Sequence, residues 1–331
     1  MAAEPLPEFF GAPADGPAVS SAPTLAGAPA CWSAALRATI KAFRTKIDAG
    51  DFSDEKVAAR IATFRGDPSQ TTKYFVEARA ALELFAEKTD GWGCMHQPAE
   101  VGGIAGQWTS WPNSAGPPIL WVHGGAFTLY SSNSYRAFAA RLSGATGRPV
   151  FVCDYRRAPE HPHPAALQDV ASCWQALAVP GAVIGGDSAG GALALMLLQT
   201  IPQQAMPMPA RAVLIAPWLD TSCKTASAAA NERADYVTAG SLRLSGVVNG
   251  GPNPLTEPGK LANLPPLLVM VGSCDVLLDD SLALARSVAD AGGDVRLSVA
   301  AAMPHAYTAF AAIEPRAQKG IADAAEFFKA A

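Results

Sequence analysis

The amino-acid sequence predicts an α/β protein, a doubly wound and mostly parallel twisted sheet of eight strands flanked by helices. Three observations carry that expectation. From Trp92 onward, short β-prone runs alternate with helical stretches, the pattern of a parallel sheet with crossover helices. The run Leu267-Leu268-Val269-Met270-Val271 is apolar at every position, as a strand buried on both faces is. Gly186-Asp187-Ser188-Ala189-Gly190 joins the apolar run Ala182-Val183-Ile184 to a stretch rich in Ala, Leu and Met that ends at Gln199, which reads as strand, sharp turn and helix.

Along the chain, residues 1–30 are rich in Ala, Pro and Gly and read as irregular. Three helical stripes follow: Leu36, Ile40, Phe43 and Ile47; then Val57, Ile61 and Phe64; then Phe75, Ala78, Leu82 and Phe85. Such stripes are core-facing surfaces in the plainer reading. In the sharper one, the first two helices are a lid that shapes a pocket and keeps water out. Strands are expected around 94–98, 104–111, 118–123 and 149–153. A helix over 165–177, the strand and helix around Ser188, a strand near 212–215 and the strand ending at Gly272 come next. A helix from Asp279 to about Ala291, a strand at 295–299 and a final helix over 314–329 complete the alternation. The interval 219–263 is turn-rich and polar with one helical signal near 239–247, and reads as an insertion over the carboxyl edge of the sheet. The expected organisation is therefore an irregular segment and helical cap over 1–70, and a catalytic domain over 71–331 with a cap insertion at about 219–263.

With half of its 331 residues hydrophobic and 16% charged, the chain builds a large core. The net charge of −4, with no block of Lys or Arg, argues against a nucleic-acid partner. Six cysteines, at 31, 94, 153, 173, 223 and 274, show no C-x-x-C pair and no His at metal-ligand spacing, so reduced thiols and no metal are expected. Residues 1–10 lack a cationic segment followed by an apolar one, and no apolar run approaches the roughly 20 residues of a membrane span. The expectation is a soluble, cytoplasmic protein; the sequence is compatible with a homodimer.

Ser188 carries the chemistry. In a G-x-S-x-G elbow the turn lifts the serine oxygen clear of the sheet, where it can attack a carbonyl. About sixty residues upstream, His123-Gly124-Gly125-Ala126 follows an apolar run and suits an oxyanion hole, whose backbone N–H groups must point at developing negative charge beforehand. A serine needs a general base, and the order along the chain in such folds is serine, acid, histidine. Of His96, His123, His161, His163 and His305, only His305 follows Ser188. A loop histidine is ordinarily just solvated; the order rule singles this one out. Acid candidates are Asp220, Glu232, Asp235, Glu257, Asp275, Asp279, Asp280, Asp290 and Asp294. Asp275 is favoured because it follows an apolar strand at its carboxyl end, where catalytic groups of open α/β sheets gather. Asp279 and Asp280 remain alternatives, and read better as first-turn residues of a helix.

These residues resemble the hormone-sensitive-lipase-like branch of the α/β-hydrolases, the bacterial family IV carboxylesterases. The resemblance spans most of the chain. It runs through the stretch from Pro118 to Phe127 that contains His123-Gly124-Gly125, then Asp154-Tyr155-Arg156-Arg157-Ala158-Pro159-Glu160-His161-Pro162, Gly185 to Gly191, and Pro265 to Asp280. It implies an α/β-hydrolase fold and a Ser188-Asp275-His305 triad. Oxyanion donors are implied at the N–H groups of Gly125, Ala126 and Ala189, with Gly124 shaping the turn. No cofactor is implied, and the substrate is a small-molecule ester of short to medium acyl length. Two departures stand out: Ala126 replaces a usual third Gly, which should narrow the pocket or demand a negative φ, and Arg157 replaces a usual Leu. Arg156 and Glu160 are expected to pair with each other beneath the site. Phe43, Phe64, Phe127, Tyr130, Trp218 and Tyr307 are candidate pocket walls. An amidase or lactonase with the same triad is one alternative; a non-catalytic small-ligand receptor, which would lack the histidine, is another.

Overall fold

The computed structural model describes residues 29–49, 52–83, 89, 92–254 and 260–331, so the expectations for residues 1–28 and for Phe85 lie outside it. The strands are β1 (Met95–Val101), β2 (Ile104–Ser110), β3 (Ile119–Val122), β4 (Val150–Cys153), β5 (Val183–Asp187), β6 (Ala212–Ile215), β7 (Leu267–Gly272) and β8 (Val295–Ala300). They form one sheet in the order β1-β2-β4-β3-β5-β6-β7-β8. β2 runs antiparallel to β1 and β4, and every other pairing is parallel.

Every residue of β3 to β7 is buried, because helices cover both faces. Side chains alternate across the pleat and divide the interior into two cores. Leu120, Val122, Ile184, Leu214 and Val269 face α5 (Ala165–Leu177), α6 (Ala189–Gln204) and α9 (Leu278–Asp290). Ile119, Trp121, Val183, Val213, Ile215 and Met270 face α4 (Arg136–Thr146), α10 (Pro315–Lys329) and the fully buried Leu36 and Ile40 of α1 (Ala34–Ala49). The sequence reading omits α4. Its buried face is Ala137, Ala139, Ala140, Leu142, Ser143 and Thr146, too small and polar to make a strong apolar stripe.

The N-terminal helices are fastened to the rest by polar contacts. Arg44 of α1 donates to the carbonyls of Glu232 and Asp235, and Asp54, opening α2 (Asp54–Gly66), pairs with Arg243 of α8 (Ala239–Asn249). On α3 (Pro68–Glu83), Arg79 grips both carboxylate oxygens of Glu160 at 2.7 and 2.8 Å and donates to the carbonyls of Thr128 and Ala158. Glu83 accepts from Ser131, Asn133 and Ser134 at 2.6 to 3.0 Å. The expected Arg156–Glu160 pair is therefore corrected. Arg156 instead forks onto Asp169 of α5 at 2.7 Å, a buried carboxylate that would be costly to leave uncompensated, while Glu160 faces α3. Among the described residues, no helix is long and apolar enough to cross a membrane.

Candidate active site

β5 ends at Asp187, α6 begins at Ala189, and Ser188 bridges them with φ 53° and ψ −123°, a conformation L-residues rarely adopt. Two backbone bonds hold the turn: the Ser188 N–H donates to Ile215 O at 2.9 Å, and the Trp218 N–H donates to Ser188 O at 3.0 Å. Gly190 makes this elbow possible at short range. A Cβ there would lie 2.0 Å from Val122 O and 2.4 Å from His123 O, so only glycine lets α6 press against the end of β3.

The loop after β3 is fixed from several sides. Tyr155 donates its O–H to His123 O at 2.9 Å and stacks on the His123 ring at 4.2 Å between centroids. His123 Nδ1 bonds Gly124 O at 2.6 Å, and burial pushes this imidazole down to about 4, so it stays neutral. The Gly124 N–H donates to Tyr135 Oη at 2.9 Å, and Tyr135 donates its own proton to Asp187 Oδ2 at 2.6 Å. Trp121 Nε1 donates to the other oxygen of Asp187 at 3.1 Å. Burial nevertheless raises the Asp187 carboxyl to about 6 against those donors.

Gly125, Ala126 and Phe127 follow with φ of 107°, 54° and 62°. The negative φ considered for Ala126 is thus corrected to a left-handed one, in a tight turn whose Gly125 O accepts from the N–H groups of Thr128 and Leu129. Among the described residues, nothing accepts a hydrogen bond from the N–H groups of Gly125, Ala126 and Ala189. Gly124 differs: its N–H is committed to Tyr135, so it shapes the turn and offers no donor.

Across the sheet, Asp275 follows β7 and His305 follows β8, both buried. His305 Nδ1 donates to Asp275 Oδ1 and Oδ2 at 3.0 and 3.2 Å, and the Leu277 N–H also donates to Oδ1 at 2.8 Å. Geometry separates the three acid candidates. Asp279 accepts from Ser227 N–H at 2.8 Å, and Asp280 from the N–H groups of Leu219 and Asp220 at 2.6 and 2.9 Å. Burial opposes a charge on His305, but the Asp275 charge and hydrogen bond outweigh it and lift the imidazole to about 9.

Asp235, one of many acids in the sequence, joins this cluster. One of its oxygens, one of Asp275 and a His305 nitrogen lie within 4.8 Å of one another, the spacing of a metal site. The donors are already committed to hydrogen bonds, an arrangement suited to moving a proton rather than caging an ion. Tyr135 and Tyr236 received no role from the sequence, and Tyr155 entered only as part of a motif. The Tyr236 ring lies 6.0 Å from that of His305 and 5.5 Å from that of Phe43.

The candidate walls divide. Phe43, Phe64 and Tyr130 are half-buried, and Phe43 reaches His305 through Tyr236. Phe64 packs instead on Tyr74 and Phe75 of α3. Phe127 and Trp218 stack at 5.3 Å in one core, and Tyr307 lies against Gly320 of α10 in the other, each at most 2% exposed. These three side chains pack into the hydrophobic cores, their apolar area covered by protein.

A sequence model of the alpha/beta hydrolase fold matches residues 119–309. An acetyl-hydrolase of Streptomyces hygroscopicus is 35% identical over 243 residues, 70% of this chain and 81% of the relative. An esterase of Acinetobacter venetianus is 34% identical over 246 residues, 70% and 80% of the two chains. Among solved structures, an esterase from the bacterial hormone-sensitive lipase family is similar with a TM-score of 0.72 at 29% identity, covering 84% of this chain and 98% of that one. Elbow, loop, buried acid–histidine pair and these likenesses lead to one assignment: the chain belongs to the α/β-hydrolase fold family, among its bacterial hormone-sensitive-lipase-like esterases.

Proposed function

We propose that this esterase hydrolyses short- to medium-chain carboxylic esters through an acyl-enzyme on Ser188. The carrying observation is the His305 imidazole, whose Nδ1 is tied to Asp275 and whose Nε2 is thereby left to exchange protons with a serine. In this reading His305 takes the Ser188 proton as the oxygen attacks the ester carbonyl, and Asp275 stabilises the imidazolium. The N–H groups of Gly125, Ala126 and Ala189 hold the oxyanion, each contributing on the order of 10²-fold or more to rate. His305 then gives its proton to the departing alcohol and activates the water that releases the acid.

Short acyl groups suit this reading because one relative is named an acetyl-hydrolase. The N-terminal helices and the 219–263 interval act together as the cap, an idea supported by the contacts of Arg44 and Asp54 with that interval. Six free cysteines suit a reducing, cytoplasmic setting. The test is a panel of p-nitrophenyl esters of increasing acyl length, with an anilide and a lactone added. Highest kcat/KM on the shorter esters, and a loss of about 10⁵-fold in kcat for Ser188→Ala, is the expected result. Retained activity in that variant, or fluorophosphonate labelling of another residue, overturns it.

A further inference from the structure

Asp235 lies in the 219–263 interval, far in sequence from both loops it touches, and is completely buried. Its Oδ2 accepts the Val276 N–H at 2.9 Å, one residue beyond Asp275. Its Oδ1 accepts the His305 N–H at 3.0 Å and its neighbour Tyr236's N–H at 2.7 Å. One carboxylate therefore ties the backbone of the acid loop to the backbone of the base loop. Asp275 itself also bonds within the acid loop and to His305, but Asp235 does so from outside both loops and through their backbone N–H groups. From these contacts we infer that Asp235 is a positioning residue for ester hydrolysis: it clamps the loops of Asp275 and His305 in register and sets a second negative charge behind the imidazolium. The inference rests on the proposed roles of His305 and Asp275.

The chemistry requires a carboxylate. Three N–H donors approach two oxygens, so an acceptor-only group satisfies all of them. An asparagine offers one oxygen, and its NH₂ would face either Val276 or His305 donor to donor. Protonation of Asp235 creates the same conflict. The groups facing it are Asp275 and Cys274 from the acid loop, His305 from the base loop, its neighbour Tyr236, and Arg44 from α1, whose guanidinium bonds the Asp235 carbonyl at 3.2 Å; Glu232 lies on its own segment. Burial first, and then the Asp275 charge, raise the Asp235 carboxyl to about 7, so it titrates in the working range.

The experiment uses the full-length enzyme with active sites counted by a fluorophosphonate. Per titrated site, Asp235→Asn is expected to lower kcat about 10- to 100-fold with KM changed less than about threefold, because the disturbed geometry acts on the transition state. The acid limb of its kcat/KM profile moves to lower pH, since His305 loses a neighbouring negative charge. In the wild type, that limb steepens from one proton toward two below about pH 7, where Asp235 follows His305 in protonating. A purely structural role lowers the melting temperature and the titratable fraction while leaving kcat per site and the limb in place, and that outcome overturns the inference. If Asp235→Asn yields no folded protein, a strictly one-proton limb in the wild type overturns it instead. Failure of the triad reading is separate, being read from Ser188→Ala.

Discussion

The elbow end of the site and the acid–base end hold their geometry by different means. Around Ser188 and the 123–127 loop, position is stored in the backbone: left-handed φ at Ser188, Ala126 and Phe127, and a glycine at 190 that lets α6 touch β3. Around His305, side chains carry more of the load: beyond the backbone bond from the Cys274 N–H to Met303 O at 2.9 Å, Asp275 and Asp235 add the carboxylate contacts that tie residues 275–277 to His305. Backbone strain is rigid and insensitive to pH. A carboxylate clamp is rigid only while it is charged, and Asp235, raised to about 7, loses its charge at a higher pH than Asp187 of the elbow end, raised to about 6, so the acid–base end responds first as pH falls.

The largest test of that contrast is Asp275→Asn. It should leave the elbow intact, with Ser188 labelled slowly but specifically, and lower kcat by about 10⁴-fold because the imidazole loses its orienting acceptor. Equal labelling rates in variant and wild type would break the distinction. The pH profile comes next. His305 must be neutral to accept a proton, and its pKa is raised to about 9, so kcat/KM should fall about tenfold per unit as pH drops from 8 to 7. A limb centred at the ordinary histidine value of about 6.5 would mean the carboxylates exert less hold than their contacts indicate.

Tyr135→Phe probes the elbow end. It removes the acceptor of the Gly124 N–H and the donor to Asp187, and is expected to cost about 10-fold in kcat with the acid limb unmoved. A displaced limb would show that the two ends are coupled through Asp187. The smallest effect belongs to Ala126→Gly. Removing a Cβ from a residue at φ 54° relieves strain, partly offset by greater freedom of the unfolded chain. Stability should rise by no more than about 1 kcal/mol by chemical denaturation, and kcat should change less than about threefold.

The same contrast explains what was legible in the sequence. The elbow end is nearly contiguous, so Gly186 to Gly190 and His123 to Ala126 could be read as motifs with strand and helix on the correct sides. Strands β3 to β8 were equally readable, because burial on both faces or strict alternation leaves a clear apolar signature. At the other end, His305 came from order along the chain and Asp275 from its place after β7. Asp235 could not be found that way. Its role depends on a fold in which residues 276 and 305 meet, and one aspartate in a polar interval carries no local mark. Trp218 and Tyr307 could not be sorted into core or pocket for a related reason: an aromatic side chain looks the same in sequence whether protein or substrate covers it.

The grip of Arg79 and Glu83 constrains how this enzyme can be re-engineered. Those two side chains meet six partners in the stretches 128–134 and 158–160, next to the 123–127 loop. Exchanging the first helices with those of a relative to alter selectivity would therefore also rewrite the support of that loop. A chimera that carries Thr128, Ser131, Asn133, Ser134 and Glu160 along with the transplanted helices keeps lock and key together; one that grafts the helices alone imports a key cut for another lock.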